Sequence, residues 1–258
     1  MAKKTYETNN SALVRQAKGY LNDPEHVFDE NVVPVENQAE FRQILDIGAN
    51  HYGSSLNPKR HARHLANLFA IADLRDHLLT SQSPLEYSLD NPEDVLSIEQ
   101  ARIEASKCYA CKKAPCQEKK GRKTCKADNP IKEVLDHVMK GDFDSAYQLL
   151  NEKNPTYELT CSGCKNGQSQ TKYCQSKCTS GDINIPEINR AIERYVSKKV
   201  LNPKEPTGKK VALVGGGPSS LRCAIELARN GIETIVYEPK DIGGVMVSEK
   251  PKVHQDMG

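Results

Sequence analysis

Apolar residues recur along this chain at helical spacing in several separate stretches, and two short continuous runs stand out in its last quarter. From Pro58 onward, Leu65, Leu68, Phe69 and Ala72 fall at i, i+3, i+4 and i+7, and Leu78-Leu79 extend the same face, which predicts a helix. Ser97 to Ala105 reads as a short helix. Ile131, Val134, Leu135 and Val138 mark the next one, Gly141-Asp142 breaks it, and Phe143, Ala146, Tyr147 and Leu150 begin another. Pro186 opens a last helix in this region, with the stripe Ile188, Ala191, Ile192, Tyr195 and Val196. Residues 1–57 are polar and irregular, with short apolar stretches at Val32–Val35 and at Phe41, Ile44 and Leu45, and Ser81–Pro92 reads as a loop.

The pattern changes after Leu201–Gly208, which reads as a linker rich in proline and charge. Lys210-Val-Ala-Leu-Val-Gly215 is a buried-strand run leading straight into a glycine turn and a helix from Ser219 to about Asn230, and Thr234–Tyr237 is a second strand. These boundaries divide the chain into a mostly helical N-terminal extension (1–96), a helical domain (97–205) and a βαβ segment (206–258).

Composition supports small units over one large core, since 37% of the residues are hydrophobic and 27% charged. The formal charge is +2, from 36 basic and 34 acidic residues, so no global field draws the chain to a membrane surface or to nucleic acid. No apolar run reaches the roughly 18 residues of a membrane span. A soluble protein is expected, in the cytoplasm or a reducing organelle lumen.

Eight of the nine cysteines lie between Cys108 and Cys178. They form two groups, Cys108-x2-Cys111-x4-Cys116-x8-Cys125 and Cys161-x2-Cys164-x9-Cys174-x3-Cys178. Grouped thiols in a reducing compartment point to metal more than to disulfides. A C-x2-C turn lets two thiolates converge on one centre, and eight ligands satisfy two [4Fe–4S] cubes. Zinc accepts the same knuckles, and spacing alone does not choose between them. Lys107, Lys112, Lys113, Lys119, Lys120, Arg122, Lys123 and Lys126 form a basic collar around the first group, suited to an acidic redox partner or, under the zinc reading, to phosphates. His61 and His64 share a helical face without a third ligand nearby and read as solvated, and Cys223 reads as a small buried apolar residue.

The turn Gly215-x-Gly217-x-x-Ser220 follows a strand and opens a helix, the context a dinucleotide site requires, with Pro218 and Ser219 at the junction. The first glycine permits the tight turn and the second lets a pyrophosphate approach backbone N–H groups. Glu238, at the end of the second strand, is placed for a ribose hydroxyl.

Taken in order, Glu104-Ala-Ser-Lys-Cys108-x2-Cys111-x3-Pro115-Cys116, the helix pair, Leu159-Thr-Cys161, Cys174-x3-Cys178, Ile183-Asn-Ile and Lys210-Val-Ala-Leu-Val-Gly-Gly-Gly-Pro218 closely resemble the N-terminal part of the glutamate synthase small subunit and of dihydropyrimidine dehydrogenase, over roughly residues 97–250. The resemblance implies an α + α/β fold: a helical two-cluster ferredoxin-like domain of the glutamate synthase small-subunit type, followed by a partial Rossmann βαβ unit. It implies two [4Fe–4S] clusters passing electrons to or from FAD, with Gly243-Gly244 matching a second flavin-contacting pair. It also implies interleaved ligands, Cys108, Cys111, Cys116 and Cys178 for one cluster and Cys125, Cys164 and Cys174 for the other. The family's last ligand is a Gln or Glu where this chain has Asn189, so Cys161 is the candidate in its place. The chain departs from the family spacing by inserting Gln117–Thr124 and by lengthening its second group with Lys165–Tyr173.

The resulting expectation is an electron-transfer subunit of a larger oxidoreductase. A second subunit would complete the flavin domain, because two strands and one helix cannot enclose a flavin by themselves, so FAD is expected only in the assembly. The alternative is a zinc-binding interaction or nucleic-acid module with a vestigial Rossmann segment. A nucleic-acid partner is not expected under the main reading.

Overall fold

A computed structural model describes residues 3–52, 58–81, 95–119, 122–125, 128–157, 174, 177–179, 183–197 and 203–244. Four helices fill the N-terminal extension: α1 (Ser11–Asn22), α2 (Val35–Tyr52), α3 (Pro58–Ala70) and α4 (Ala72–Thr80). The first two correct the expectation of irregular structure over 1–57. Few apolar positions drive them: α1 buries Leu13, Val14 and Ala17 and is started by Asn10, whose side chain accepts from the Ala12 and Leu13 N–H groups. In α2, Phe41, Ile44, Leu45 and Gly48 are buried. Gly48 lies where α2 meets α3, so that a Cβ there would run into the Leu65 side chain.

The stripe from Leu65 to Leu79 belongs to two helices, because Ile71 is extended between α3 and α4. The freed carbonyls find other donors: the Tyr6 N–H donates to Ala70 O at 2.8 Å, and the buried Arg75 guanidinium to Phe69 O at 3.2 Å. His64 is a second correction. It is buried, with Nδ1 2.7 Å from the Tyr52 hydroxyl, and burial holds its pKa well below the ordinary value; His61 stacks on Tyr52 at 3.7 Å between ring centroids.

Helix α5 (Ile98–Ser106) begins with a full capping box, in which the Ser97 side chain takes the Gln100 N–H and the Gln100 side chain takes that of Ser97. A short antiparallel hairpin, β1 (Glu118–Lys119) and β2 (Arg122–Lys123), precedes helices α6 (Ile131–Met139), α7 (Phe143–Lys153) and α8 (Ile185–Tyr195). Helix α6 packs on α5 and α7, and α8 on α5 and α7. The extension grips α5 directly. Asp73 accepts both terminal nitrogens of Arg102 at 2.8 and 3.0 Å, and Asn67 Nδ2 donates to Ser106 O at 2.9 Å. The four helices of the extension and α5–α8 share one hydrophobic core running from Leu13 to Ile192.

The remaining described unit is β3 (Lys210–Val214), α9 (Pro218–Arg229) and β4 (Glu233–Tyr237), with β3 and β4 parallel and paired from Lys210–Glu233 to Val214–Tyr237. Its strands alternate between half-buried and exposed positions, and α9 buries none of its residues. Cys223, on that helix, is therefore exposed and not the buried residue expected. Gly231 has φ +71, and a Cβ there would collide with the Glu205 carbonyl of the linker, so glycine is required where the linker crosses. Arg229 Nη2 donates to Asn151 O on α7 at 2.8 Å, joining this unit to the helical body.

Among the described residues no helix is long and apolar enough to cross a membrane.

Candidate metal centre and glycine turn

Helix α5 ends one residue short of the first cysteine group, and the Cys108 N–H donates to Ala105 O at 3.0 Å, continuing its last turn. The chain then reverses through Ala110, whose φ of +46 is left-handed, so that its N–H faces back and donates to Cys108 Sγ at 3.4 Å. Cys116 is buried. The inserted segment after it folds as the β1–β2 hairpin, pinned by Thr124, whose N–H donates to Gln117 O at 2.7 Å and whose hydroxyl donates to Pro115 O at 2.9 Å. The described ends of the insertion are thus paired with each other and held beside Cys116.

The structure brings thiols of the two groups near one another. Burial pushes the Cys108 thiol up to about 11, with Cys178, Cys111 and Asp136 close enough to push the same way. Burial pushes Cys116 up to about 12, and there Cys178, Cys108 and Cys174 add to it. Cys111 Sγ lies 3.5 Å from the Thr179 hydroxyl, beside Cys178. Thus Cys108, Cys111, Cys116 and Cys178 share one neighbourhood, which Cys174 borders. Cys125 is half-buried against the core, Cys161 and Cys164 lie outside the described residues, and Asn189 is half-buried on α8. No disulfide forms among the described residues, and no three of their His, Cys, Asp or Glu side chains converge as a ready single-ion site.

The donor set fits an iron–sulfur cluster. Thiols that repel one another's ionisation in a desolvated niche stay protonated in the bare protein, and a cationic metal core is what would stabilise them as thiolates. The N–H directed at Cys108 Sγ is the kind of contact that adjusts a cluster's potential. Beside Cys108 a cavity of about 340 Å³ is lined by Ala110, Lys132, Glu133 and Asp136.

The collar is less uniform than its sequence. Lys112 and Lys113 are exposed, but Lys107 turns inward to Glu104 at 2.6 Å, and Glu133 and Asp136 bring acid to the cavity.

At the glycine turn, Gly215 has φ +94, and its N–H donates to Tyr237 O at 2.8 Å, extending the β3–β4 pairing. The N–H of Gly216 donates to Glu238 Oε2 at 2.6 Å and that of Lys240 to Oε1 at 2.9 Å; these bonds, Gly216 first, hold the Glu238 carboxyl below its usual range. Gly243 donates its N–H to Gly216 O at 2.8 Å, and Gly244 lies against Gly217. The two glycine segments and Glu238 therefore converge on one end of the sheet. Gly216, absent from the sequence reading, is the residue that ties Glu238 to the turn. Gly217 caps α9 without a side-chain bond, Pro218 occupies its first turn, and Ser219 is exposed there.

Comparison of the sequence with known proteins adds a family. Residues 87–204 match the family described as dihydropyrimidine dehydrogenase domain II, 4Fe-4S cluster. Over 168 residues the chain is 31% identical to a putative oxidoreductase, AegA, of Escherichia coli, covering 61% of this chain and 24% of that protein. It is 30% identical over 156 residues to the glutamate synthase [NADPH] small chain of the same organism (57% and 31% covered) and 26% identical over 142 residues to its NAD-dependent dihydropyrimidine dehydrogenase subunit PreT (52% and 32%). The chain thus spans about a quarter to a third of the length of these relatives. The 87–204 segment, which carries the eight grouped cysteines, belongs to the iron–sulfur family of the glutamate synthase small subunit and dihydropyrimidine dehydrogenase.

Proposed function

We propose that this chain holds two [4Fe–4S] clusters and transfers electrons between them and an FAD seated at its glycine turn, as part of a larger oxidoreductase. The observation that carries this reading is the meeting of the two cysteine segments, where Cys111 Sγ lies 3.5 Å from the hydroxyl of Thr179, the neighbour of Cys178, with Cys178 near enough to Cys108 and Cys116 to act on their ionisation; this supports the interleaved pattern the resemblance implies. Cys108, Cys111, Cys116 and Cys178 would hold one cluster, and Cys125, Cys161, Cys164 and Cys174 the other. When bound, the clusters supply one-electron transfer and the flavin links it to two-electron chemistry.

This chain's residues hold and insulate those groups. The buried Cys116 and the α5–α8 core shield the inner side of the first ligand set, and the Ala110 N–H supports the Cys108 sulfur. At the sheet end, Gly215 and Gly217 leave room for a pyrophosphate before the uncapped start of α9, where Pro218 and Ser219 lie, and Gly243 and Gly244 back the turn. Glu238 would exchange one of its backbone donors for a ribose hydroxyl. Further βα units, from the same polypeptide or from a partner subunit, would cover the open face of the sheet. An acidic redox protein is the partner that the exposed Lys112 and Lys113 suit. The relatives are named as oxidoreductases or as a chain or subunit of one, which favours this reading over the zinc-binding module.

Iron and acid-labile sulfide in anaerobically purified protein test it. About eight irons and as many sulfides per chain are expected; zinc without labile sulfide would overturn the proposal.

A further inference from the structure

Glu104 is the one carboxylate among the described residues that is buried, at 1% exposure. Both of its oxygens are used. Oε1 accepts the backbone N–H of Asn184 at 2.6 Å, and Oε2 accepts the Lys107 ammonium at 2.6 Å. These partners belong to the two segments that supply the first thiol set: Lys107 directly precedes Cys108, and Asn184 starts α8, shortly after Cys178.

A carboxylate is costly to bury, and an apolar side chain of similar size generally serves stability as well or better. What an apolar side chain cannot supply is a pair of short, charge-assisted bonds with fixed directions. Here one bond crosses 80 positions of sequence and the other stays within one helical turn, so a single side chain fixes the start of α8 against the end of α5. The contact of Cys111 with Thr179 also ties the two ligand segments, and as a long sulfur contact it is weak.

We propose that Glu104 is a positioning residue for the first cluster: it clasps the segment after Cys178 to the helix before Cys108, and it neutralises Lys107 beside the cluster. The inference rests on the iron–sulfur reading above. It separates two effects of the side chain. Glu104→Ala removes both the clasp and the charge. Glu104→Gln keeps an oxygen for the Asn184 N–H but leaves the Lys107 cation uncompensated, which favours the reduced, more negative cluster. Asn184→Pro deletes the N–H donor while leaving the carboxylate and Lys107 in place; residue 184 has φ −81, close to what proline adopts.

The experiment compares the full chain and these three variants, purified anaerobically, by iron and sulfide content, by electron paramagnetic resonance after reduction, and by redox titration. Glu104→Ala and Asn184→Pro are expected to lose one of two cluster signals with about half the iron. Glu104→Gln is expected to keep both signals and to shift one midpoint potential upward. Unchanged signals and potentials in all three would overturn the inference while leaving the iron–sulfur reading intact. If the alanine and proline variants fail to fold, an unshifted potential in Glu104→Gln overturns it alone. Zinc in the parent chain would overturn the reading and the inference together, and would be seen before any variant is made.

Discussion

Helices α6 and α9 are both amphipathic, yet α6 buries Ile131, Val134, Leu135, Val138 and Met139, whereas α9 buries nothing. The same contrast extends to the regions around them. Every helix from α1 to α8 contributes to a core that runs from Leu13 to Ile192, while no residue of β3, α9 or β4 joins it. In the strands, Val211, Leu213, Thr234 and Val236 are half-buried, but Val214 is 88% and Tyr237 58% exposed on the alternate positions. An amphipathic sequence specifies which face is to be covered, and only the rest of the fold determines whether it is. The helical body carries its own cover, so its ligand-bearing loops stand on a rigid base. The βαβ unit has one covered face and holds its shape through main-chain pairing, the linker and Arg229.

The strongest test of this contrast is a matched pair of truncations. Leu65→Ala removes a fully buried side chain and should destabilise the helical body by about 2–5 kcal/mol. Leu213→Ala, at a half-buried strand position, should cost about 1 kcal/mol. Hydrogen exchange resolved by residue would show Leu65→Ala loosening α1–α8 and leaving residues 203–244 as they were. Equal loss of protection in both regions would mean they unfold as one body and break the comparison.

A smaller effect is expected where two helices approach most closely. Gly48→Ala would press a methyl into Leu65, at about 1–3 kcal/mol of strain, offset by up to ~1 kcal/mol of improved helix propensity. A net loss in urea denaturation is expected, and a gain would show that Leu65 can move aside.

Smaller again is the tie between the extension and α5. The Arg102 guanidinium donates to Asp73 and holds its carboxyl below the ordinary value of 3.8. Because the folded pKa is the depressed one, this stabilisation is fully present above the unfolded value and is lost as the pH falls through the folded pKa. Asp73 is largely exposed, so Asp73→Asn should cost only about 1 kcal/mol near neutrality. The difference between the two proteins should vanish at a pH well below 3.8, and a difference that persists there would mean that the pair is not its source.

What the sequence revealed and what it hid follow the same division. The Ile131–Val138 stripe was readable because it is regular and its partners lie in the same body. Helices α1 and α2 were not, since each needs only three or four buried residues set among polar ones, and α1 depends on Asn10 as its cap. The C-x2-C knuckles were visible from spacing, but the meeting of Cys178 with Cys108 is a tertiary event that only the family resemblance anticipated. Lys107 reads from sequence as one of the basic collar, and His64 as a solvated face. The structure instead turns Lys107 to the buried Glu104, whose other oxygen is held by Asn184, 80 positions on, and buries His64 against Tyr52 of α2; no local pattern records either contact.

The smallest expected effect is at Val214, and it bears most directly on the uncovered face. A valine that is 88% exposed contributes little to the stability of the unit that carries it, so Val214→Thr should change stability by no more than about 0.5 kcal/mol. Threonine keeps the branched shape that suits a strand while replacing a methyl with a hydroxyl. The open face also presents Ile235 and Tyr237, with Ile242 exposed in the segment that follows, an apolar surface that invites pairing between molecules. Val214→Thr should therefore lower self-association of the 258-residue chain in sedimentation velocity without shifting its unfolding midpoint. If the substitution destabilises the chain by 2 kcal/mol or more, a cost typical of buried positions, the face is covered in solution and the contrast between the two regions fails at this point.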